Sequence, residues 1–314
     1  MALIRYAPIA PNFNFMRGRK VFMAFSIAMV VASLTILAVR GLNLGVDFRG
    51  GILIEVQTRD VANLGDLRAR LGNLGLGEVT LQEFGNPRDV LINVQRQDGA
   101  EEEQIAAIDL IKAELGDQVA EYRRTEFVGP KVGDELKQAG LLATVLAMLG
   151  ITVYIWFRFE WQFAVAALIA LFHDVISTIG LMALIQLEFN LSTLAAILTV
   201  AGYSINDTVV IFDRVRETLR KYKKLPILDL LTRAINGTLM RTSLTSVTTL
   251  LALISLAAFG GEVIRGFSIA LIWGVVIGTF SSWGLAVPIL SYTNLRVGVT
   301  GATDDPGEKT KAAE

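Results

Sequence analysis

The sequence predicts a membrane α-helical bundle of six transmembrane helices, with a small α+β domain inserted between the first and the second. Three observations predict it. Of the 314 residues, 53% are hydrophobic, and the mean hydropathy is +0.51. Soluble domains of this length are not that apolar. Six runs approach or exceed the roughly 20 apolar residues that cross a bilayer. Between the first two runs lies a long stretch of mixed charge whose periodicity alternates between strand and helix.

The first run, 21–39, follows Arg17, Arg19 and Lys20 and precedes Arg40. It is longer than a signal-peptide core and lacks a small-residue cleavage site, so it reads as an uncleaved helix with residues 1–20 on the cytoplasmic side. Further spans are expected near 140–157, 163–187, 191–212, 244–259 and 267–290. Charge orients them. A basic loop at about 213–241 carries Arg214, Arg216, Arg220, Lys221, Lys223, Lys224, Arg233 and Arg241. By the positive-inside rule it is cytoplasmic. Both termini then face the cytoplasm, and the long insertion at 40–138 faces the periplasm.

Within that insertion, 52–57 alternates like a strand, and Leu64, Leu67 and Leu71 recur at helical spacing. Strands are expected at 78–84 and 90–95, joined by the turn signal Gly85-Asn86-Pro87-Arg88. A helix over 101–115 and a strand over 119–127 complete the order βαββαβ, the ferredoxin-like pattern. The domain opens on Gly45-Val46-Asp47-Phe48-Arg49-Gly50-Gly51. This reads either as a tight turn or as a stiff joint between the first span and the sheet. Its glycines permit positive φ and close backbone approach. Residues 139–295 hold the second to sixth helices, and the tail 296–314 ends in a polar stretch expected to be disordered.

Composition also excludes functions. A net charge of −1 gives no polyanion-binding signature. The absence of cysteine excludes structural disulfides, thiolate metal sites and a cysteine nucleophile. One histidine leaves little material for metal sites or a catalytic triad. No enzyme activity, metal or cofactor is expected.

Ionisable groups at membrane depth cost about 2.5–3.5 kcal/mol each and mark functional candidates. Thr199, Tyr203 and Asn206/Asp207 follow one another at helical spacing and are expected to share a face. Asp207 lies about 9 Å inside the cytoplasmic end of its span, too deep for a carboxylate to snorkel. Burial disfavours its charge and a nearby cation favours it, a balance suited to taking up and releasing a proton. Arg241 opens the next polar helix, and its span runs antiparallel to that of Asp207, so the two could meet. His173 and Asp174 form a second polar site within a span. For this pair a purely structural role, a satisfied histidine and an aspartate bonded to a neighbouring helix, stands beside a role in proton transfer.

Taken together, GVDFRGG at 45–51, VGPKVGDEL at 128–136, FHD at 172–174, AGYSINDTVVIFDRVRE at 201–217 and NGTLMRTSLTS at 236–246 closely resemble the SecF family of bacterial protein translocase subunits. That family belongs to the resistance-nodulation-division superfamily. The resemblance implies six spans with a large loop after the first, a location in the bacterial inner membrane, and a pairing with SecD. It also implies association with the SecYEG channel and YajC, and use of the proton-motive force in exporting unfolded polypeptides. It carries a role in proton flow onto Asp207 and Arg241, beside Asn206, and gives no definite role to His173 or Asp174. The joint at Gly45, Asp47, Arg49, Gly50 and Gly51 is expected to pass movement from the bundle to the inserted domain. Two other readings remain open: a proton-coupled small-molecule transporter of the same superfamily, and a scaffold subunit that transports nothing.

Overall fold

The structure is a computed structural model that describes residues 13–97, 101–260 and 262–295. The polar tail and the first twelve residues lie outside the described residues. Six helices among the described residues are long and apolar enough to cross a membrane. The first is α1 (Arg19–Arg40), entered through a 3-10 turn in which the Asn14 side chain accepts from the backbone N–H of Arg17. A single turn, α2 (Val46–Arg49), leads into the inserted domain.

In that domain β1 (Gly51–Thr58), α3 (Leu64–Gly72), β2 (Val79–Phe84), β3 (Asn86–Val94), α4 (Glu101–Leu115) and β4 (Val119–Val128) follow in the expected order. The sheet runs β2-β3-β1-β4, every neighbouring pair antiparallel. This is the ferredoxin-like arrangement. Ile52, Ile54 and Val56 lie opposite Val94, Ile92 and Val90 on one face. They pack on Leu67 and Leu71 of α3 and on Ile108, Ile111 and Leu115 of α4. The period of two along β1 delivers this row to a single side. The turn expected at Gly85–Arg88 is narrower than its composition indicates. Phe84 pairs with Asn86 across Gly85, which supplies φ +81°, and Pro87 and Arg88 already belong to β3.

The remaining helices form the bundle: α5 (Pro130–Arg158), α6 (Trp161–Ile185), α7 (Leu191–Lys221), α8 (Ile227–Phe259) and α9 (Glu262–Ser281). The last continues through a π-helical turn at Ser282–Ala286 into α10 (Val287–Leu290). Helices α6, α7 and α9 with its continuation form the buried centre, whereas α1, α5 and α8 keep most of their surface outward. Small residues bring the central helices close. Gly274 and Gly278 of α9 face Val200 and Ser204 of α7, and Gly180 of α6 faces Ser33 of α1. Without a hydrophobic drive between helices in lipid, such close backbone approach supplies the van der Waals gain. Phe163 of α6 meets Phe212 of α7 with ring centroids 5.1 Å apart, closing one end of the bundle.

The basic stretch expected as a loop over 213–241 is mostly helix. Helix α7 runs on to Lys221 and α8 begins at Ile227, so only 222–226 link them. The reason is amphipathic burial: Val215, Leu219, Leu230, Leu231, Ala234 and Ile235 pack into the same core as Phe163 and Phe212. The charges that read as a loop lie on the outer faces of these helix ends. Asn236 also ties the chain before α1 to α8, accepting from the N–H of Phe13 and donating to its carbonyl oxygen.

Candidate functional site

The joint is built first. The N–H of Gly45 donates to the Phe189 carbonyl at 2.9 Å, and the N–H of Phe189 donates to that of Asn43 at 2.7 Å. These bonds lay the joint against the link between α6 and α7. Phe48 stacks on Phe189 with ring centroids 5.4 Å apart. Gly50 and Gly51, at φ +72° and +126°, turn the chain from α2 into β1. A Cβ on Gly51 would lie 2.6 Å from the Val94 carbonyl oxygen, so the second glycine is also required by space. Arg49 is exposed and borders a cleft of about 480 Å³ between the joint and the sheet.

Asp47 makes the connection that the sequence did not reveal. Its Oδ2 accepts from the backbone N–H of Leu191 at 2.8 Å. Leu191 is the first residue of α7, whose other cap is local: Asn190 and Thr193 form a reciprocal capping box. One of the unpaired N–H groups at a helix start is thereby satisfied from the joint. The carboxylate also lies where the helix dipole favours negative charge. Glu188 sits beside this contact, its carboxylate so near Gly45 that a Cβ there would fall 2.5 Å from Oε1. Burial pushes the Glu188 carboxyl above its usual range, Arg124 pulls it back, and Asp47 and Glu126 add to the rise.

Asp207 lies on the same helix, 16 residues and roughly 24 Å along the axis from Leu191. It is 3% exposed, and its Oδ2 has no hydrogen-bond partner. Ser246 and Arg241, both on α8, are the groups that act on it electrostatically. Asp207 on α7 and Arg241 on α8 thus lie near enough for their charges to act on one another, but they form no direct ion pair. The expected common face does not hold. Thr199 and Asn206 are exposed, whereas Asp207 turns inward with Val200, Ser204 and Ile211. The cause is the 3.6-residue turn: a step of seven from Thr199 reaches Asn206, and Asp207 lies one residue, about 100°, around the helix. Arg241 itself is exposed, as are Gly202, Ser243 and Thr248. A polar strip on α7 and α8 is thus left uncovered at membrane depth by this chain.

His173 and Asp174 occupy the buried centre, at 2% and 0% exposure. Asp174 accepts from Ser204 Oγ of α7 at 2.5 Å and from Ser281 Oγ of α9 at 2.7 Å. Its other oxygen lies 2.8 Å from Nδ1 of His173. Next to Ser281, Ser282 shares a hydrogen bond with Thr208 at 2.9 Å. Two consecutive serines point into the core because the π-helical turn begins there, and such turns recur at functional sites. Ser204 stood out in the sequence as a polar residue within an apolar span, whereas Ser281, Ser282 and Thr208 went unnoticed. The signal available was Ser281-Ser282 inside an otherwise apolar span. The His173 face continues through Ser177, which accepts from Trp273 Nε1 at 3.1 Å, to Gly180 against α1.

The sequence and fold of this chain are similar to those of known proteins. Residues 110–296 match the family model of the protein export membrane protein SecD/SecF, C-terminal, and residues 35–60 match the SecD/SecF GG motif. The chain is 47% identical to the protein translocase subunit SecF of Rickettsia felis, covering 92% of this chain and 94% of the relative. It is 45% identical to that of Rickettsia prowazekii over 92% of this chain and 93% of the relative. The crystal structure of SecDF, a translocon-associated membrane protein from Thermus thermophilus, superposes with a TM-score of 0.82 at 32% identity over 93% of this chain. A second SecDF crystal structure, in a super-membrane-facing form, gives 0.67 at 31% identity over 96% of this chain. This chain spans 39% and 40% of those longer SecDF chains. The relatives are named as translocase subunits, not as enzymes. On this sequence, fold and set of relatives, the chain belongs to the SecD/SecF protein-export family and, within it, to the SecF translocase subunits.

Proposed function

We propose that this chain couples proton movement through its bundle to movement of its inserted domain, and so assists late steps of polypeptide export. The observation that carries the reading is one helix with two ends. Helix α7 holds Asp207, a buried carboxylate with an unpaired oxygen, and its first turn is held by Asp47 of the joint. A change of charge at Asp207 alters how α7 packs against Arg241 and Ser246. The shift reaches Leu191 along a rigid helix, and Asp47 hands it to β1 through the Gly50-Gly51 turn.

Energetics allow it. One elementary charge crossing roughly 100 mV supplies about 2.3 kcal/mol. That biases a two-state equilibrium roughly fifty-fold. The uncovered polar strip on α7 and α8, with Asn206 and Arg241 exposed, calls for a second helical half. Transporters of related design place their sites between two such halves. A SecD-type partner fits there, and the SecYEG channel with YajC supplies the path for the unfolded polypeptide. The basic ends of α7 and α8 face the cytoplasm by the positive-inside rule. This supports both termini inside and the ferredoxin-like domain in the periplasm, as expected of an inner-membrane export subunit. Protons are the only coupling agent the mechanism uses.

The test is export driven by an imposed potential in vesicles carrying the chain, its SecD-type partner and the channel. Asp207→Asn abolishes the stimulation while leaving assembly intact. Stimulation at the wild-type level in that variant overturns the proposal.

A further inference from the structure

We propose that an arginine-lined cleft where α7 meets α8 binds the phosphate of an anionic phospholipid headgroup. The cleft has a volume of about 860 Å³ and is lined by five arginines, Arg158, Arg214, Arg216, Arg220 and Arg241, against two carboxylates, Asp213 and Glu217. The carboxylates are already used. Arg158 pairs with Asp213 at 2.8 Å, and Arg214 with Glu217 at 2.5 Å. Arg216 reaches Glu160 at 3.4 Å, outside the cleft lining. Among the described residues no carboxylate lies within ion-pair distance of Arg220 or Arg241. Two guanidinium groups that are always charged therefore share a concave surface with no carboxylate in ion-pair contact, Arg241 having only the more distant Asp207 as a counter-charge.

The cleft is shaped as well as charged. Its arginines come from three helices, α5, α7 and α8. A Cβ on Gly237 would lie 3.0 Å from Arg214 Nε, so the glycine lets that side chain lie along α8. Planar guanidinium groups with several donors match phosphate oxygens.

Its level in the membrane identifies the source of the phosphate. Arg158 ends α5, and only Phe159 and Glu160 separate it from α6. A two-residue link between two spans marks the membrane surface. Trp156, Phe157 and Trp161 around that link are all exposed, as aromatic side chains are at the headgroup level. The cleft thus opens where lipid phosphates lie, and basic pockets between helices on the cytoplasmic side suit such headgroups. Arg241 belongs to both the cleft and the surroundings of Asp207, so an occupied cleft would also influence the charge that Asp207 meets.

The experiment uses the full chain with its SecD-type partner, in phosphatidylcholine vesicles with and without phosphatidylglycerol, followed by native mass spectrometry of retained lipid. The complex retains phosphatidylglycerol in preference to phosphatidylcholine. Arg220→Gln reduces that preference about fivefold, the effect of one surface charge, and Arg220→Lys, which keeps the charge without the planar fork, restores it in part. Lys221→Gln, outside the cleft lining, leaves it unchanged. Arg220 is exposed, and unaltered thermal melting of the variants separates loss of binding from loss of fold. Inorganic phosphate added to both kinds of vesicle distinguishes the two sources of phosphate. Displacement of retained phosphatidylglycerol by excess phosphate supports a headgroup contact. Equal retention of both lipids, no effect of Arg220→Gln, or saturation by inorganic phosphate with no lipid preference overturns the proposal. So does lipid retention by the chain alone that disappears in the complex, which assigns the arginines to an acidic surface of the partner.

Discussion

Removing the carboxylate of Asp47 separates a joint that merely folds from one that transmits. In Asp47→Ala the N–H of Leu191 loses its acceptor, which lies at 2.8 Å, and the start of α7 loses a negative charge. A lost helix cap costs about 1 kcal/mol, and the charge at the dipole adds about 0.3–1 kcal/mol. The Asn190–Thr193 capping box remains, so the helix still begins at the same place. The total, about 1.5 kcal/mol, is roughly tenfold in the equilibrium between joined and released states. It is a large part of the about 2.3 kcal/mol that one charge gains from roughly 100 mV. Asp47→Asn keeps an acceptor oxygen and loses the charge, so its effect falls between. Two measurements are made on the reconstituted complex: amide hydrogen exchange over the first turn of α7, and export stimulated by an imposed potential. Asp47→Ala raises exchange at Leu191 about tenfold and lowers potential-dependent stimulation, while basal export is unchanged. Faster exchange with undiminished stimulation would refute transmission through this bond, and unchanged exchange would refute the bond itself.

The remaining expectations concern the joint and the core. Because the Glu188 carboxyl is raised above its ordinary value of 4.5, its neutral form favours the folded joint. That contribution is complete below the ordinary value and is lost as pH rises through the raised one, so Glu188→Gln should flatten the thermal-melting profile across this window. Gly274→Ala places a methyl group against Val200, and overpacking of this kind costs about 1–3 kcal/mol, read as a lower melting temperature in detergent. Gly202→Ala, with nothing within 4 Å, should be neutral or slightly stabilising in the chain alone. Ser204→Ala and Ser281→Ala each remove a donor from the fully buried Asp174 and should cost about 1–3 kcal/mol apiece. Their double variant should depart from additivity, because both serine hydroxyls bond to one oxygen, Asp174 Oδ2.

The sequence alone determined the parts that depend on local pattern. Apolar length requires six spans, because a backbone in lipid must satisfy its own hydrogen bonds. Alternation in β1 and helical spacing in α3 and α4 gave the βαββαβ order, and the hydrophobic rows met as their periods required. Asp207 and Arg241 were legible as costly residues at membrane depth. The structure decided what depends on which helices touch. It turned Asn206 outward and Asp207 inward, a difference of one residue that periodic grouping cannot resolve. It carried helix through the basic stretch at 213–241, because buried residues such as Leu219 and Leu231 outweigh the charges on the outer face. It gave Asp174 its donors from α7 and α9, and gave the first turn of α7 its acceptor from Asp47, 144 residues away. A hydrogen bond between distant segments leaves no periodic trace, since its geometry exists only after the bundle has packed.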